Sequence, residues 1–94
     1  MPTIWKFEIV PSDGHEVTLT MPRGARVLCA REQRDTICVW AEVDRSAPLE
    51  PRRFEVFGTG WDLPPGERRY LGTASIYGGS LIFHVYEPAA VTAD

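Results

Sequence analysis

The sequence predicts a small all-β domain, a single antiparallel β-sandwich or partly open barrel of about seven short strands. Apolar residues alternate with polar ones over short segments, as expected for strands that bury one face. Prolines and glycines separate these segments at close intervals. No segment of ten or more residues shows helical periodicity. Short strands at close spacing are typical of sandwiches and small barrels.

The alternation also sets the expected boundaries of the elements. Two stretches rich in proline or glycine, Asp44–Arg52 and Gly58–Gly66, are predicted loops, and Pro11–Gly14 is a predicted turn. Residues 1–87 form the predicted β domain, and residues 88–94 form a predicted flexible tail. The predicted strands are Ile4–Val10, Glu16–Met21, Arg26–Glu32, Thr36–Val43, Arg53–Phe57, Arg69–Tyr77 and Ser80–Tyr86.

The last two strands can be placed in register from the turn between them. Gly78-Gly79 is typical of a two-residue hairpin turn, which requires positive φ. Three pairs then share a small or apolar face: Ile76 with Leu81, Ala74 with Phe83, and Gly72 with Val85. The opposite face carries Leu71, Thr73, Ser75, Ile82, His84 and Tyr86, with Thr73 opposite His84. A slip of one residue would mix the two sets, which supports this register.

Whether the two cysteines lie opposite each other depends on the register of an earlier hairpin. A two-residue loop at Gln33-Arg34 would place Cys29 directly opposite Cys38. A disulfide there would be strained, so we expect two neighbouring thiols in a reducing cytosol. The same register places the acidic residues Glu32 and Asp35 opposite each other, which is unfavourable. A longer loop with a shifted register is therefore the competing interpretation.

Composition excludes several classes of function. The chain has 94 residues and a net charge of −3, and nine of its ten basic residues are arginine. A net negative charge argues against general nucleic-acid binding, which needs a surplus of Lys and Arg. No stretch approaches the ~18 apolar residues of a membrane span, and nothing resembles a signal peptide. We therefore expect a cytoplasmic protein that does not bind membranes.

The sequence contains no recognisable catalytic set. The two histidines and two cysteines lack metal-ligand spacing, so no metal site is expected. We also expect no cofactor and no enzymatic activity. His15, beside the first turn, is expected to be a solvated loop residue. His84 is expected either to be half-buried and hydrogen-bonded to a neighbour or to contact a ligand.

Aromatic and polar residues off the apolar faces suggest a binding surface. Gly58-Thr59-Gly60 resembles a phosphate-binding fragment, but Pro64-Pro65 prevents the helix that such a motif needs. It is therefore either a turn or a nest of backbone N–H groups. Trp61 either marks the edge of the functional surface or folds back as a lid over one end of the β core. The candidate binding residues are Gly58, Thr59, Gly60, Trp61, His84, Tyr86, Thr73, Trp40, Arg53 and Arg69.

Six short motifs follow one another along the chain, at Ile4–Phe7, Met21–Leu28, Trp40–Asp44, Phe54–Gly60, Tyr70–Thr73 and Phe83–Tyr86. In this order and spacing they resemble a family of small tailed-phage proteins of unknown function. The resemblance covers about residues 3 to 87. It implies expression in the cytoplasm of an infected bacterium and an accessory task there, and it brings no catalytic residue with it.

The leading hypothesis is a non-enzymatic phage accessory protein that binds and inhibits a host or anti-phage defence protein. We expect it to be a homo-oligomer, because Trp, Tyr and Arg are enriched at interfaces. One alternative is a sponge that sequesters a small nucleotide signal through the Gly58–Trp61 segment, nearby arginines and His84. Another alternative is a minor virion or assembly protein.

Overall fold

The computed structural model describes residues 1–10 and 14–89, whose strands form two antiparallel sheets. The three-stranded sheet has the order β1-β4-β3, and the four-stranded sheet has the order β2-β5-β7-β6. The sheets pack face to face without closing into a barrel, which confirms the predicted sandwich. In chain order the strands are β1 (Pro2–Ile9), β2 (Glu16–Pro22), β3 (Arg26–Gln33), β4 (Thr36–Asp44), β5 (Leu49–Gly58), β6 (Arg68–Ile76) and β7 (Leu81–Pro88).

The core lies between the two sheets and follows the predicted alternation. Alternate residues of β4 are fully buried, as the period of two requires for strands with one inward face. The four-stranded sheet contributes the large side chain of Phe54 opposite them. The largest fully buried side chains include Ile9, Met21, Val27, Ile37, Val39, Val43, Phe54 and Val85.

Strand β5 begins earlier than the sequence predicted. The predicted loop Asp44–Arg52 is wrong in its second half, because Leu49 to Arg52 already pair with β2. Proline is normally confined to edge strands and bulges because it has no N–H to donate to a neighbouring strand. Here β5 pairs with β7 only from Glu55 to Gly58. No residue of β7 therefore pairs with Pro51, and on the side that faces away from β2 its missing N–H costs no hydrogen bond.

The hairpin of β6 and β7 has the predicted register. Ile76 pairs with Leu81, Ala74 with Phe83, and Thr73 with His84. The turn differs in detail, because Tyr77, Gly78 and Gly79 form a short 3-10 turn in which all three residues have positive φ.

Leu71 does not lie on the face predicted for it. The register shifts between Tyr70 and Gly72, so Leu71 is a bulged residue, and its side chain is buried. A bulge inserts one extra residue into a strand and breaks the period of two. Tyr70 and Thr73 consequently lie on the same outer face despite their odd spacing.

The cysteines are not opposite each other, which corrects the predicted hairpin. The loop consists of Arg34 and Asp35, both with positive φ, and Gln33 pairs with Thr36. Because the turn lies one residue later than predicted, Cys29 pairs with Trp40, and Cys38 pairs with Arg31. A bulge at Leu28 shifts the register only beyond these pairs. Cys29 and Cys38 are diagonal neighbours on the outer face, and both are free thiols.

The two thiols should react at different rates. Cys38 is only 1% exposed, and burial raises the pKa of its thiol above the usual value. Because the thiolate is the reactive form, iodoacetamide should alkylate half-buried Cys29 well before Cys38 in the folded protein. Mass spectrometry of timed samples measures the two rates, and unfolding in guanidinium should make them similar. Equal rates in the folded protein would contradict the burial of Cys38.

The two long sides of the sandwich differ in how closely the edge strands of the two sheets approach each other. On one side β3 and β6 pack against each other, whereas on the other side β1 and β2 touch at only a few residues. Gly72 lies against the backbone of Ala30, and Arg69 Nη2 donates to the carbonyl oxygen of Val27 at 3.0 Å. We call the contact between β3 and β6 the closed seam and the gap between β1 and β2 the open side.

The last strand extends further toward the C-terminus than the sequence predicted. Pro88, predicted as the start of a flexible tail, belongs to β7, and the Ala89 N–H donates to the carbonyl oxygen of Glu67 at 2.9 Å. Residues 90–94 and the first three residues of the predicted turn Pro11–Gly14 lie outside the described residues. Within residues 1–10 and 14–89, no helix has the length and hydropathy needed to cross a membrane.

Candidate functional site

The outer face of the four-stranded sheet is partly covered. Phe57 points away from the core, yet it is fully buried. The ring of His15 stacks on it with centroids 4.9 Å apart, and the guanidinium of Arg68 lies 5.6 Å from its centroid. His15 is therefore a packing residue rather than the solvated loop residue predicted from the sequence.

A buried ion pair lies beside Phe57. Glu55 is 5% exposed, and its Oε1 accepts a hydrogen bond from Arg68 Nε at 2.9 Å. Arg68 also donates from Nη2 to the carbonyl oxygen of Pro64 at 2.7 Å. This second bond ties the Gly58–Gly66 loop to the sheet. The loop is thereby held at a fixed position beside the outer face.

A chain of hydrogen bonds crosses this face toward the loop. His84 Nε2 lies 2.8 Å from Thr59 Oγ1, and His84 Nδ1 lies 3.1 Å from Thr73 Oγ1. The hydroxyl of Tyr70 in turn contacts Thr73 Oγ1. Hydroxyls both donate and accept, so they satisfy either tautomer of a neutral imidazole. The network fixes the orientation of the ring, and the groups on both of its nitrogens are neutral.

Trp61 stands at the end of the sandwich, next to this network. Its ring covers Gly58 so closely that a Cβ added there would lie 2.8 Å from the indole. The ring also meets Phe83 edge to face, with centroids 6.3 Å apart. Even so, the residue remains 52% exposed. Trp61 therefore has features of both interpretations, since one side packs on the end of the core and the other side faces solvent.

Two shallow grooves flank Trp61. One, of about 230 Å³, is lined by Phe57, Leu63, His84 and Tyr86 on the outer-face side. The other, of about 320 Å³, is lined by residues 79–83 at the tip of the last hairpin. Gly58, Thr59 and Trp61 belong to both grooves. We call the two grooves and the indole between them the Trp61 surface.

The structure brings together only some of the predicted site residues. Thr73 joins the Trp61 surface through His84. Trp40 lies on the outer face of the three-stranded sheet, in a separate cleft with Ile4 and Leu28. Arg53 and Arg69 line a third cleft, at the opposite end of the four-stranded sheet. The predicted residues that meet at the Trp61 surface are Gly58, Thr59, Gly60, Trp61, His84 and Tyr86.

Three of the four arginines that line the arginine cleft, of about 640 Å³, form ion pairs: Arg52 with Glu87, Arg53 with Glu16 and Arg68 with Glu55. Arg52 donates from Nη1 to the carbonyl oxygen of Ala25 at 2.7 Å and is paired with Glu87. Arg69 donates to a backbone carbonyl of the closed seam. Glu67 lines the same cleft. These contacts hold the strands together, and the lining keeps a net positive charge, with four arginines against two glutamates.

Sequence reasoning missed several residues of the Trp61 surface. Leu63, Leu81 and Ile82 are each exposed by 41% or more, although large apolar side chains are normally buried. Tyr70, which extends the hydrogen-bonded chain, was missed because the bulge at Leu71 hides its shared face with Thr73. Glycine inside a strand often marks a bulge, so Gly72 was the available signal.

The comparisons with known proteins bear on the whole chain. A family model described as a domain of unknown function, DUF7352, matches residues 1–93. Searches of the curated proteins and of the solved structures gave no match. The family description names neither a ligand nor a phage, so the phage resemblance stays a prediction.

Proposed function

We propose a function from the geometry of the site, because the DUF7352 family, to which this chain belongs, is a domain of unknown function. The protein is a non-enzymatic binding module that docks on a partner protein through its Trp61 surface. The observation that carries this proposal is the half-exposed indole of Trp61 standing between two shallow grooves.

A protein partner fits this surface better than a small molecule does. Small-molecule sites bury most of the ligand in a concave pocket. The grooves beside Trp61 are open and shallow, and exposed Leu63, Leu81 and Ile82 surround them. Contiguous exposed apolar surface marks interaction sites, and tryptophan is enriched among the residues that dominate binding energy.

The hydrogen-bonded chain supplies the polar part of the same surface. Both ring nitrogens of His84 are already bonded, and they hold the Thr59 hydroxyl in place, so this hydroxyl can offer a further hydrogen bond without first being ordered. Polar groups around an apolar centre are typical of protein interfaces. A nucleotide would require cations for its phosphates, and the arginine cleft lies at the other end of the sheet.

The biological setting is also part of the proposal. Because the short motifs resemble those of small tailed-phage proteins, the expected partner is a bacterial host or defence protein. The expected compartment is the cytoplasm of the infected cell. Both statements rest on the sequence resemblance alone.

The test compares capture of proteins from infected bacteria by three tagged forms of the chain. Trp61→Ala should lose the partner that the unmodified protein captures. The matched control is Leu49→Ala, which also removes a large exposed apolar side chain but lies at the start of β5. Leu49→Ala should retain the partner. Melting temperatures of both variants check folding, and Trp61→Ala should fall by only a few degrees because its ring is half-exposed.

Two results would overturn the proposal. One is an identical set of captured proteins for the unmodified protein and Trp61→Ala. The other is a large rise in melting temperature with a nucleotide that Thr59→Val or Trp61→Ala abolishes, because tight ligand binding stabilises the folded state. That second result would instead establish the nucleotide sponge.

A further inference from the structure

The open side of the sandwich exposes part of the core. Phe7 of β1, and Val17 and Leu19 of β2, pack against the buried core cluster but are only partly buried themselves. Trp5, which pairs with fully buried Ala41, is 36% exposed. The apolar layer between the sheets therefore reaches solvent on this side, in contrast to the closed seam.

Strand β1 is also a free edge on this side. It lies at the end of the three-stranded sheet and, among the strands of residues 1–10 and 14–89, pairs only with β4. An edge strand presents a row of unpaired N–H and C=O groups that can pair with another strand. The even residues Ile4, Lys6 and Glu8 lie on the outer face of this strand, and the odd residues lie on the inner face.

The order of charges on β1 makes the strand complementary to itself. When two copies pair antiparallel with Phe7 opposite Phe7, Lys6 of each copy lies opposite Glu8 of the other. Directly opposed residues lie about 4.5–5.5 Å apart between Cβ atoms, so both pairs have opposite charges in contact. The inner face then places Trp5 opposite Ile9. We propose that β1 forms this pairing with β1 of a second copy, joining two three-stranded sheets into one.

Charge selects this register among the neighbouring ones. Residues paired across a sheet point to the same face, so registers that keep Trp5 and Phe7 inward differ by steps of two residues in the pairing. Shifting the second copy by one such step places Lys6 of one copy opposite Lys6 of the other. Shifting it by one step the other way places Glu8 opposite Glu8. Like charges directly opposite each other are destabilising.

The same arrangement explains why a lysine stands on an exposed edge. A charged residue in an edge strand normally prevents another strand from pairing there. The Lys6 ammonium uses one of its three donors on Gln33 Oε1, at 2.7 Å. Because Gln33 lies on β3, on the far side of β4 from the edge, the Lys6 side chain must turn from this bond toward the edge to bind Glu8 of the second copy. The pair of charges thus rejects foreign strands and accepts this one.

The oligomeric state and its response to charge test the proposal. Light scattering at micromolar concentration should give twice the monomer mass of 10.6 kDa. Lys6→Glu and Glu8→Lys each convert two attractive pairs into two repulsive ones, so each should weaken the dimer by about tenfold or more. The double variant, Lys6→Glu with Glu8→Lys, exchanges the charges and should restore the dimer. Circular dichroism confirms that each variant is folded.

Crosslinking of the unmodified protein tests the register without any variant. A zero-length carbodiimide applied to mixed ¹⁴N and ¹⁵N protein should join Lys6 of one copy to Glu8 of the other. Mass spectrometry identifies such a link by its mixed isotopes. Three results would overturn the proposal: a monomer throughout, a dimer unaffected by either single reversal, or a dimer that the double variant fails to restore. None of them touches the Trp61 surface.

Discussion

Replacing Gly72 with alanine should destabilise the protein more than the same replacement at any other glycine of the chain. A Cβ at this position would lie 1.9 Å from the carbonyl oxygen of Ala30, whereas real Cβ contacts stay beyond 3.0 Å. The obstacle is backbone, so no side-chain rotation relieves it. The closed seam must part, and overpacking of this kind costs about 3 kcal/mol. For a domain of this size the melting temperature should fall by roughly 12–24 °C.

A second glycine provides the control for Gly72→Ala. Gly66 has a φ of +133°, and a Cβ added there would have no neighbour within 4 Å. Gly66→Ala therefore adds backbone strain without the clash, and it should cost about 1–2 kcal/mol. Calorimetry of the two variants separates strain from packing. Equal losses of stability would show that β3 and β6 are not in the close contact described.

Removing the partner of the buried Glu55 should have the second large effect. Arg68→Met keeps much of the aliphatic chain but leaves the Glu55 carboxylate buried without its guanidinium. An uncompensated buried charge typically costs about 3–5 kcal/mol. His15 Nε2, at 3.6 Å from Glu55 Oε2, is a remaining partner and should keep the loss near the lower end. Denaturation with urea measures the change in unfolding free energy.

Two variants establish the cause of that loss. Arg53→Met removes an arginine whose ion pair with Glu16 is long, at 3.7 Å, and exposed on both sides. It should change stability by no more than about 0.5 kcal/mol, because exposed pairs contribute little. Adding Glu55→Gln to Arg68→Met removes the buried charge and should recover part of the stability. If Arg68→Met behaved like Arg53→Met, the carboxylate would have to be solvated.

The sequence predicted the sandwich and most strand positions because alternation reports local geometry. The pairing of Ile76 with Leu81 followed from placing Gly78-Gly79 at the centre of the turn, and the loop that forms, residues 77–80, is centred on the same two glycines. The placement of Leu71 failed because it lies at a bulge, whereas that of Cys29 failed because the turn is at Arg34-Asp35, one residue later than predicted. A bulge moves every residue beyond it to the opposite face of the strand. The alternation of apolar and polar residues in the sequence does not show where such an extra residue is inserted.

The candidate site was predictable only in part, and the reason is its non-local character. Thr73 opposite His84 followed from the hairpin register. Thr59 reaches the same ring from a loop 25 residues earlier, which no pattern of spacing reveals. The burial of Phe57 likewise depends on His15 and Arg68, which come from two other segments. Contacts of this kind are set by the packing of distant segments rather than by neighbouring residues.

The closed seam has a consequence for the order of folding. It joins Ala30 to Gly72, 42 residues apart, and each belongs to a hairpin that closes through a turn of a few residues. Short loops close quickly, whereas distant contacts require a large loss of chain entropy first. The hairpins β3–β4 and β6–β7 should therefore form early, and their docking along the seam should limit the folding rate. Until docking is complete, the two sheets would present their apolar inner faces to other chains, and this stage is when a newly made protein is most exposed to aggregation.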